Sequence, residues 1–340
     1  MTVEIVGAIL LLVLTLYAIL GGADFGGGLW DLLAGRAEAG RAPRALIDDA
    51  ITPVWESNHM WLIFALVIFW TAFPSAFAAV MTVAAVPLWL SVLGIVLRGA
   101  GFAFRKEVDG LGSQRLLGAT FAISSLLTPF FMGTVVGAVA AGKVSLDAEH
   151  STLTAWTDPT SILVGCLFVA VCAYQAAVLL IGEAARRRDG NLERYFRRRA
   201  TIAGTVAGAL SLAALVALRN ADAVVYHRLT GRALPLVVLA GVCGVAVIVL
   251  LVSGGSRGLR VLSAAGVAAV VWGWGIAQYP TLLPGTGLTL TGGSAPHATL
   301  VGVIVVTIVA VALVIPAFVL LFSLHGRQLL DPDAPPSIPR

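Results

Sequence analysis

The chain has 340 residues, of which 59% are hydrophobic and only 12% charged, and its mean hydropathy is +0.95. A soluble domain carries about 25% charged residues; half that share cannot give a globule of this size a solvated surface, so a soluble fold is excluded and lipid must cover the rest. The net charge of +4 does not mark a nucleic-acid partner, because the basic residues stand in short turns between apolar runs.

A bilayer core of roughly 30 Å asks for about 20 apolar residues per helix. Taken in chain order, that length predicts nine spans, near 5–24, 54–73, 77–98, 116–141, 160–182, 200–219, 234–253, 259–279 and 298–323. The fold class expected is an all-α integral membrane protein, a bundle of about nine transmembrane helices over residues 1–330, followed by a disordered tail over 331–340. The first run reads as a spanning helix rather than a removable leader: it lacks a basic n-region, and Glu4 is acidic. The short turn at Pro74 makes the second and third spans antiparallel neighbours. Pro87, Pro129 and Pro316 fall inside spans, where bundle neighbours can satisfy the freed carbonyls. Trp272, Trp274 and Tyr279 read as an aromatic belt at the outer surface.

Alternate turns differ sharply in charge. One set, with the C-terminus, holds 18 of the 22 Lys and Arg residues, among them Arg36, Arg41, Arg44, Arg98, Arg105, Lys106, Arg115, the run Arg186 to Arg199, Arg257 and Arg260. The other set holds Lys143, Arg219, Arg228 and Arg232. The positive-inside rule then puts the N-terminus outside and the C-terminus in the cytoplasm. The run Arg186 to Arg199 also suits contact with anionic headgroups.

Polar groups at membrane depth are costly, so they single out candidate sites. Asp24 ends the first predicted span among Gly21, Gly22, Gly26, Gly27 and Gly28, and glycines let a neighbouring helix approach closely. It reads either as an acid in interfacial water beside tight packing or as a buried, proton-handling or ion-pairing carboxylate. At the start of the second predicted span stand Trp55, Glu56, Asn58, His59 and Trp61. Glu56 and His59 share one helix face, Trp55 and Asn58 another; a carboxylate beside a histidine can pass protons or hold a cation. Arg98, ending the third span, is the nearest basic partner for these acids. Ser124, Ser125 and Gln175 read as interhelical hydrogen-bonding residues.

The residues offer no redox centre. Of the five histidines, His150, His227, His297 and His325 fall in loops or at the end of the last span, and only His59 is near a position from which to ligate a haem. Cys166, Cys172 and Cys243 lie in apolar runs without metal-ligand spacing, and no phosphate- or dinucleotide-binding loop is present. Neither a catalytic residue, a bound cofactor nor a metal site is expected in this chain alone.

Four stretches then carry a resemblance: Gly22-Ala23-Asp24-Phe25-Gly26; Pro53-Val54-Trp55-Glu56-Ser57-Asn58-His59-Met60-Trp61-Leu62; Arg98-Gly99-Ala100-Gly101-Phe102 with Phe104-Arg105; and Ala277-Gln278-Tyr279-Pro280. In this order the chain resembles subunit II of the cytochrome bd-type quinol oxidases. The resemblance implies a bacterial cell membrane and a heterodimer with a nine-helix subunit I that holds two b haems, haem d and the quinol site, with room for small accessory subunits. It implies a complex that oxidises quinol, reduces dioxygen to water and draws its protons from the cytoplasm. It makes Asp24, Glu56, His59 and Arg98 proton-path candidates, and Gly22, Gly26, Trp55, Asn58 and Trp61 the structural motif around them. The chain departs from some members in having Gly21 where they carry a further acid, and Glu56 where Asp is commoner. The competing expectation is a secondary transporter or ion channel that uses Asp24 and Glu56 as coupling carboxylates.

Overall fold

The computed structural model describes residues 1–35, 38, 40–104, 111–146 and 152–326, with the side chains at 52–57, 102, 111–115, 152, 223, 315, 318, 319 and 321–326 left out. Glu56 and Trp55 therefore lie outside the described side chains, and the predicted tail 331–340 lies outside the described residues. Twelve helices are present among those residues: α1 Thr2–Leu32, α2 Arg41–Ala72, α3 Pro74–Val83, α4 Ala85–Phe104, α5 Leu111–Ala140, α6 Thr152–Thr157, α7 Pro159–Arg186, α8 Gly190–Ala221, α9 Ala223–Thr230, α10 Leu234–Ser253, α11 Leu259–Gln278 and α12 His297–Gly326.

The membrane class follows directly. Seven of these helices (α1, α5, α7, α8, α10, α11 and α12) are long and apolar enough to cross a bilayer, and α2 with α3 makes an eighth if that pair is taken as one span bent by 118°. A count of nine requires giving α4 a span of its own, and its apolar stretch, Ala85–Gly101, is shorter than the others. The predicted third span, 77–98, is divided: α3 ends at Val83 and α4 begins at Ala85. With the turn at Phe73–Pro74 so sharply bent, the second and third spans do not pair as expected. α2 packs on α1, whereas α4 packs on α5.

α1 is the hub, touching α2, α5, α7, α11 and α12. Its N-terminal half buries Val3, Val6 and Val13 in an apolar core shared with Ile68, Phe73, Ala76, Val80, Val139 and Leu283, on whose edge Trp61 packs half-buried. The segment after α11 closes over this core, with Leu290 against Gly7 and Ala295 N–H donating to the Ala72 carbonyl at 2.8 Å. Trp274 packs into the cores on both sides of it rather than standing in a surface belt. A second core, built on Leu46, Ile47, Ile51, Ala177, Leu180, Ile181 and Phe196, holds the other end of the bundle, where Trp30 joins α1 to α7 by donating to the Ala173 carbonyl at 2.8 Å.

Two of the four minority basic residues are engaged at the end of α11. Arg232 donates to the Ala277 carbonyl at 3.1 Å and Arg228 to the Gln278 carbonyl at 3.4 Å. The last carbonyls of a helix lack intrahelical partners and carry partial negative charge, so these arginines cap the Ala277-Gln278-Tyr279-Pro280 motif. Burial, and then the neighbouring Arg228 charge, lower the Arg232 guanidinium from its ordinary range.

Candidate functional site

Two boundary differences place the site. The sequence ends the first span at residue 24 and opens the second at 54, but α1 runs on to Leu32 and α2 begins at Arg41. Asp24 therefore lies eight residues, about 12 Å of helix, before the end of α1, and Asn58 lies well inside α2. The five glycines do not end α1, because neighbours pack where their side chains would be. A Cβ at Gly26 would run into the Cys172 carbonyl, one at Gly28 into the Ser125 hydroxyl, and one at Gly21 would lie 2.9 Å from Asn58 Oδ1. Nine of the eleven residues from Gly21 to Asp31 are buried. The helix is hemmed in on every side and needs glycine for backbone approach.

At the centre is an ion pair removed from solvent. The side chains of Asp24 and Arg98 are both 0% exposed, and Arg98 Nη2 is bonded to Asp24 Oδ1. The same nitrogen donates to the Asp24 backbone carbonyl at 2.8 Å. Arg98 Nη1 donates to the Ser125 hydroxyl, which in turn donates to the Phe121 carbonyl at 2.6 Å. The other Asp24 oxygen, Oδ2, accepts from Asn58 Nδ2 at 3.3 Å. The guanidinium lies between two rings, its Cζ 5.1 Å from the centre of Phe25 and 4.6 Å from that of Phe121. Four helices thus converge on one charge pair: α1 through Asp24, α4 through Arg98, α5 through Ser125 and α2 through Asn58. A charge pair out of water persists only when hydrogen bonds and aromatic faces replace the lost hydration, as they do here. Asn58 Oδ1 and Arg98 Nε have no hydrogen-bond partner among the described residues.

The sequence candidates divide accordingly. Asp24, Arg98 and Asn58 are brought together, and Gly22 and Gly26 are buried beside them, against Gln175 and Cys172 respectively. The expected Gln175 bridge is present, its amide donating to the Ala18 carbonyl at 3.1 Å. His59 follows Asn58 on α2 and is half-buried; its expected pairing with Glu56 falls on a side chain outside the described ones. Trp61 belongs to the apolar core one turn further on. Sequence reasoning does not single out Ser125, Phe25 and Phe121 as site residues. Ser125 is expected as an interhelical hydrogen-bonding residue and is one, accepting from Arg98, but nothing in its sequence ties it to the charged site, and the two rings look like ordinary lipid-facing aromatics. Nearer the end of α1, Arg44 Nε lies 3.1 Å from Asp31 Oδ1, linking the start of α2 to the end of α1.

The chain as a whole has relatives among known proteins. A family model described as cytochrome bd terminal oxidase subunit II matches residues 2–325. The chain belongs to that family. Subunit 2 of the cytochrome bd ubiquinol oxidase of Bacillus subtilis is 28% identical over 226 residues, which cover 65% of this chain and 64% of that protein. Subunit 2 of the Escherichia coli K12 cytochrome bd-I ubiquinol oxidase is 24% identical over 197 residues, covering 56% of this chain and 50% of that one. The matches thus span between half and just under two thirds of these relatives. In fold, the chain is similar to a chain in the structure of the bd oxidase from Geobacillus thermodenitrificans, with a TM-score of 0.74, 22% identity, and coverage of 98% of this chain and 100% of that one. The all-α membrane architecture is therefore that of a bd oxidase subunit.

Proposed function

We propose that this chain is the haem-free subunit II of a quinol:dioxygen oxidoreductase and that its buried charge cluster serves the cytoplasmic proton supply. In this reading residues 1–330 form its membrane unit, beside a haem-bearing subunit I in a bacterial cell membrane. The 18-to-4 distribution of basic residues supports an N-terminus outside and a C-terminus in the cytoplasm. The partner's two b haems and haem d would supply the electron transfer from quinol to oxygen. The residues gathered here suit the complementary role, since a carboxylate, a guanidinium, a hydroxyl and a carboxamide handle protons and charge rather than electrons.

The observation that carries the reading is the asymmetry of the buried Asp24 carboxylate. Oδ1 is tied to Arg98, while among the described residues Oδ2 meets only the longer bond from Asn58. A proton taken up at Oδ2 would neutralise Asp24 and leave Arg98 a hydrogen bond to Oδ1 in place of the ion pair, and Asn58, whose Nδ2 donates to Oδ2 and whose own carbonyl oxygen is unfilled among the described residues, is the group that orients the receiving oxygen. Glu56 stands two residues before Asn58 on α2, toward the end that charge counting assigns to the cytoplasm, and is the entry residue in this proposal. The transporter reading gains a broken helix at Phe73–Pro74, but that break lies about 22 Å along α2 from Asn58, away from the acids.

The test is to purify the tagged chain gently from a host that also makes the adjacent large subunit. A second large polypeptide bringing haem b and haem d absorbance, with quinol-dependent oxygen uptake, is the expected result. Glu56→Gln should slow uptake roughly tenfold or more with haem content unchanged. A chain that moves solute across vesicles alone, without pigment or partner, would overturn the proposal.

A further inference from the structure

A second site lies apart from the charge cluster. On the outer surface of the bundle, α1, α5, α7 and α8 enclose a groove of about 540 Å³ lined by apolar side chains, among them Trp30, Phe130, Ala173, Ile202, Val206 and Leu210. From Ile202 to Leu210 it follows α8 for about 12 Å, enough to seat a stretch of hydrocarbon chain. Such a groove alone would be ordinary lipid-facing surface.

Its charged end makes it more specific. Arg199 stands one turn before Ala203, a wall residue of the groove, and its guanidinium lies 5.8 Å from the centre of the Trp30 ring and 3.4 Å from that of Tyr195. The hydrogen bonds it makes are to the Tyr195 and Leu33 carbonyls, both 3.5 Å long, the limit for such a bond. Among the described residues no carboxylate pairs with it, and Arg199 Nε and the Tyr195 hydroxyl are buried without a hydrogen-bond partner. Arg188, Arg194 and Arg198 also lack a carboxylate among the described residues, but Arg199 is the one set against the Trp30 ring, and other arginines nearby are paired. Arg187 is paired with Asp49, Arg197 with Glu193, and both Arg186 and Arg260 with Glu183. Arg199 is a cation left uncompensated, among the described residues, at the mouth of an apolar channel.

We propose that this groove binds an anionic phospholipid, with acyl chain against Val206 and Leu210 and phosphodiester on the Arg199 guanidinium, next to the Tyr195 hydroxyl. A guanidinium presents a planar fork of donors that matches two phosphate oxygens. A zwitterionic headgroup brings the same phosphodiester together with a cation that the guanidinium repels, and a free anion would leave the apolar walls unused. The readout is lipid binding, so the proposal stands or falls separately from the oxidase reading.

The experiment uses the full chain in its purified complex, stripped of lipid by detergent exchange. Native mass spectrometry and thermal melting then follow titration with dioleoyl phosphatidylglycerol, dioleoyl phosphatidylcholine or inorganic phosphate. Phosphatidylglycerol should be retained in preference and raise the melting temperature. Arg199→Gln should weaken its retention about fivefold, as for one basic residue at an anionic membrane surface, while Arg199→Lys keeps most of it. Val206→Trp, at a position 46% exposed where a larger side chain has room outside the core, should fill the groove and lower retention of either lipid. Equal binding of the two lipids that is indifferent to Arg199→Gln would overturn the proposal. So would inorganic phosphate stabilising the complex as well as phosphatidylglycerol, or a neutral quinone displacing it.

Discussion

The two halves of α1 solve the same problem in opposite ways. From Val3 to Val13 the helix fills space: branched side chains enter a core of alanines, Phe73 and Leu283. From Gly21 to Asp31 it gives up space, so that Asn58, Cys172 and Ser125 come up to its backbone and an ion pair forms within the gap. Between helices in lipid, burying apolar surface supplies little drive, because the tails are as apolar as leucine; packing and polar contacts decide. The first half is therefore replaceable in detail. The second is not, since each of its small residues is matched to a specific group on another helix.

That contrast can be broken most forcefully at the ion pair. Arg98→Leu leaves the Asp24 carboxylate buried without its counter-charge, an omission that costs about 3–5 kcal/mol; the expected outcome is loss of folded, partner-bound protein, seen as a collapse of the monodisperse peak in size-exclusion chromatography. The double substitution Asp24→Leu, Arg98→Leu should recover part of that peak while leaving oxygen uptake abolished. Recovery of uptake as well would separate the pair from proton supply. The next largest effect is steric. Gly26→Val drives side-chain atoms into the Cys172 carbonyl, and overpacking of this kind costs about 1–3 kcal/mol, to be read as a lower melting temperature of the purified complex. Val6→Ala in the other half removes two methyl groups from a fully buried site and should cost less, about 1 kcal/mol; if it proves as damaging as Gly26→Val, the two halves do not differ as described. The smallest effect belongs to Arg44→Gln. Its pair with Asp31 is 28% exposed on the arginine side, so the change should move stability by less than about 1 kcal/mol and fade as salt rises.

Asp24, Asn58 and Arg98 are legible as candidates because a charged or polar residue inside an apolar run is conspicuous against its neighbours. Ser125 is legible as an interhelical hydrogen-bonding residue but not as part of this site, since a hydroxyl in a span does not show which helix it will meet, and Thr128 and Ser91 bond their own. Its part in the site depends on Arg98 lying one helix away. Phe25 and Phe121 are hidden for the same reason: a ring that faces a guanidinium has the same local sequence as one that faces lipid. The span limits mislead most at the glycines. By intrinsic propensity a run of five glycines around an aspartate weakens a helix, so the apolar run alone ends the first span at residue 24. The chain instead continues for two more turns because α2, α5 and α7 hold it.

By itself, the sequence determined the solvent and the class: apolar runs of this length cannot be hydrated, and hydropathy is a sum over adjacent residues that needs no knowledge of partners. It also marked the costly residues from which a site could be built. The tertiary structure alone decided that Asp24 lies within the bundle rather than at its edge, that the third expected span breaks into α3 and α4, and that Arg98 meets its carboxylate with Ser125 and two rings around it. These depend on contacts between residues 27 to 74 positions apart, and such contacts are set by which helices pack together, not by any local stretch of chain.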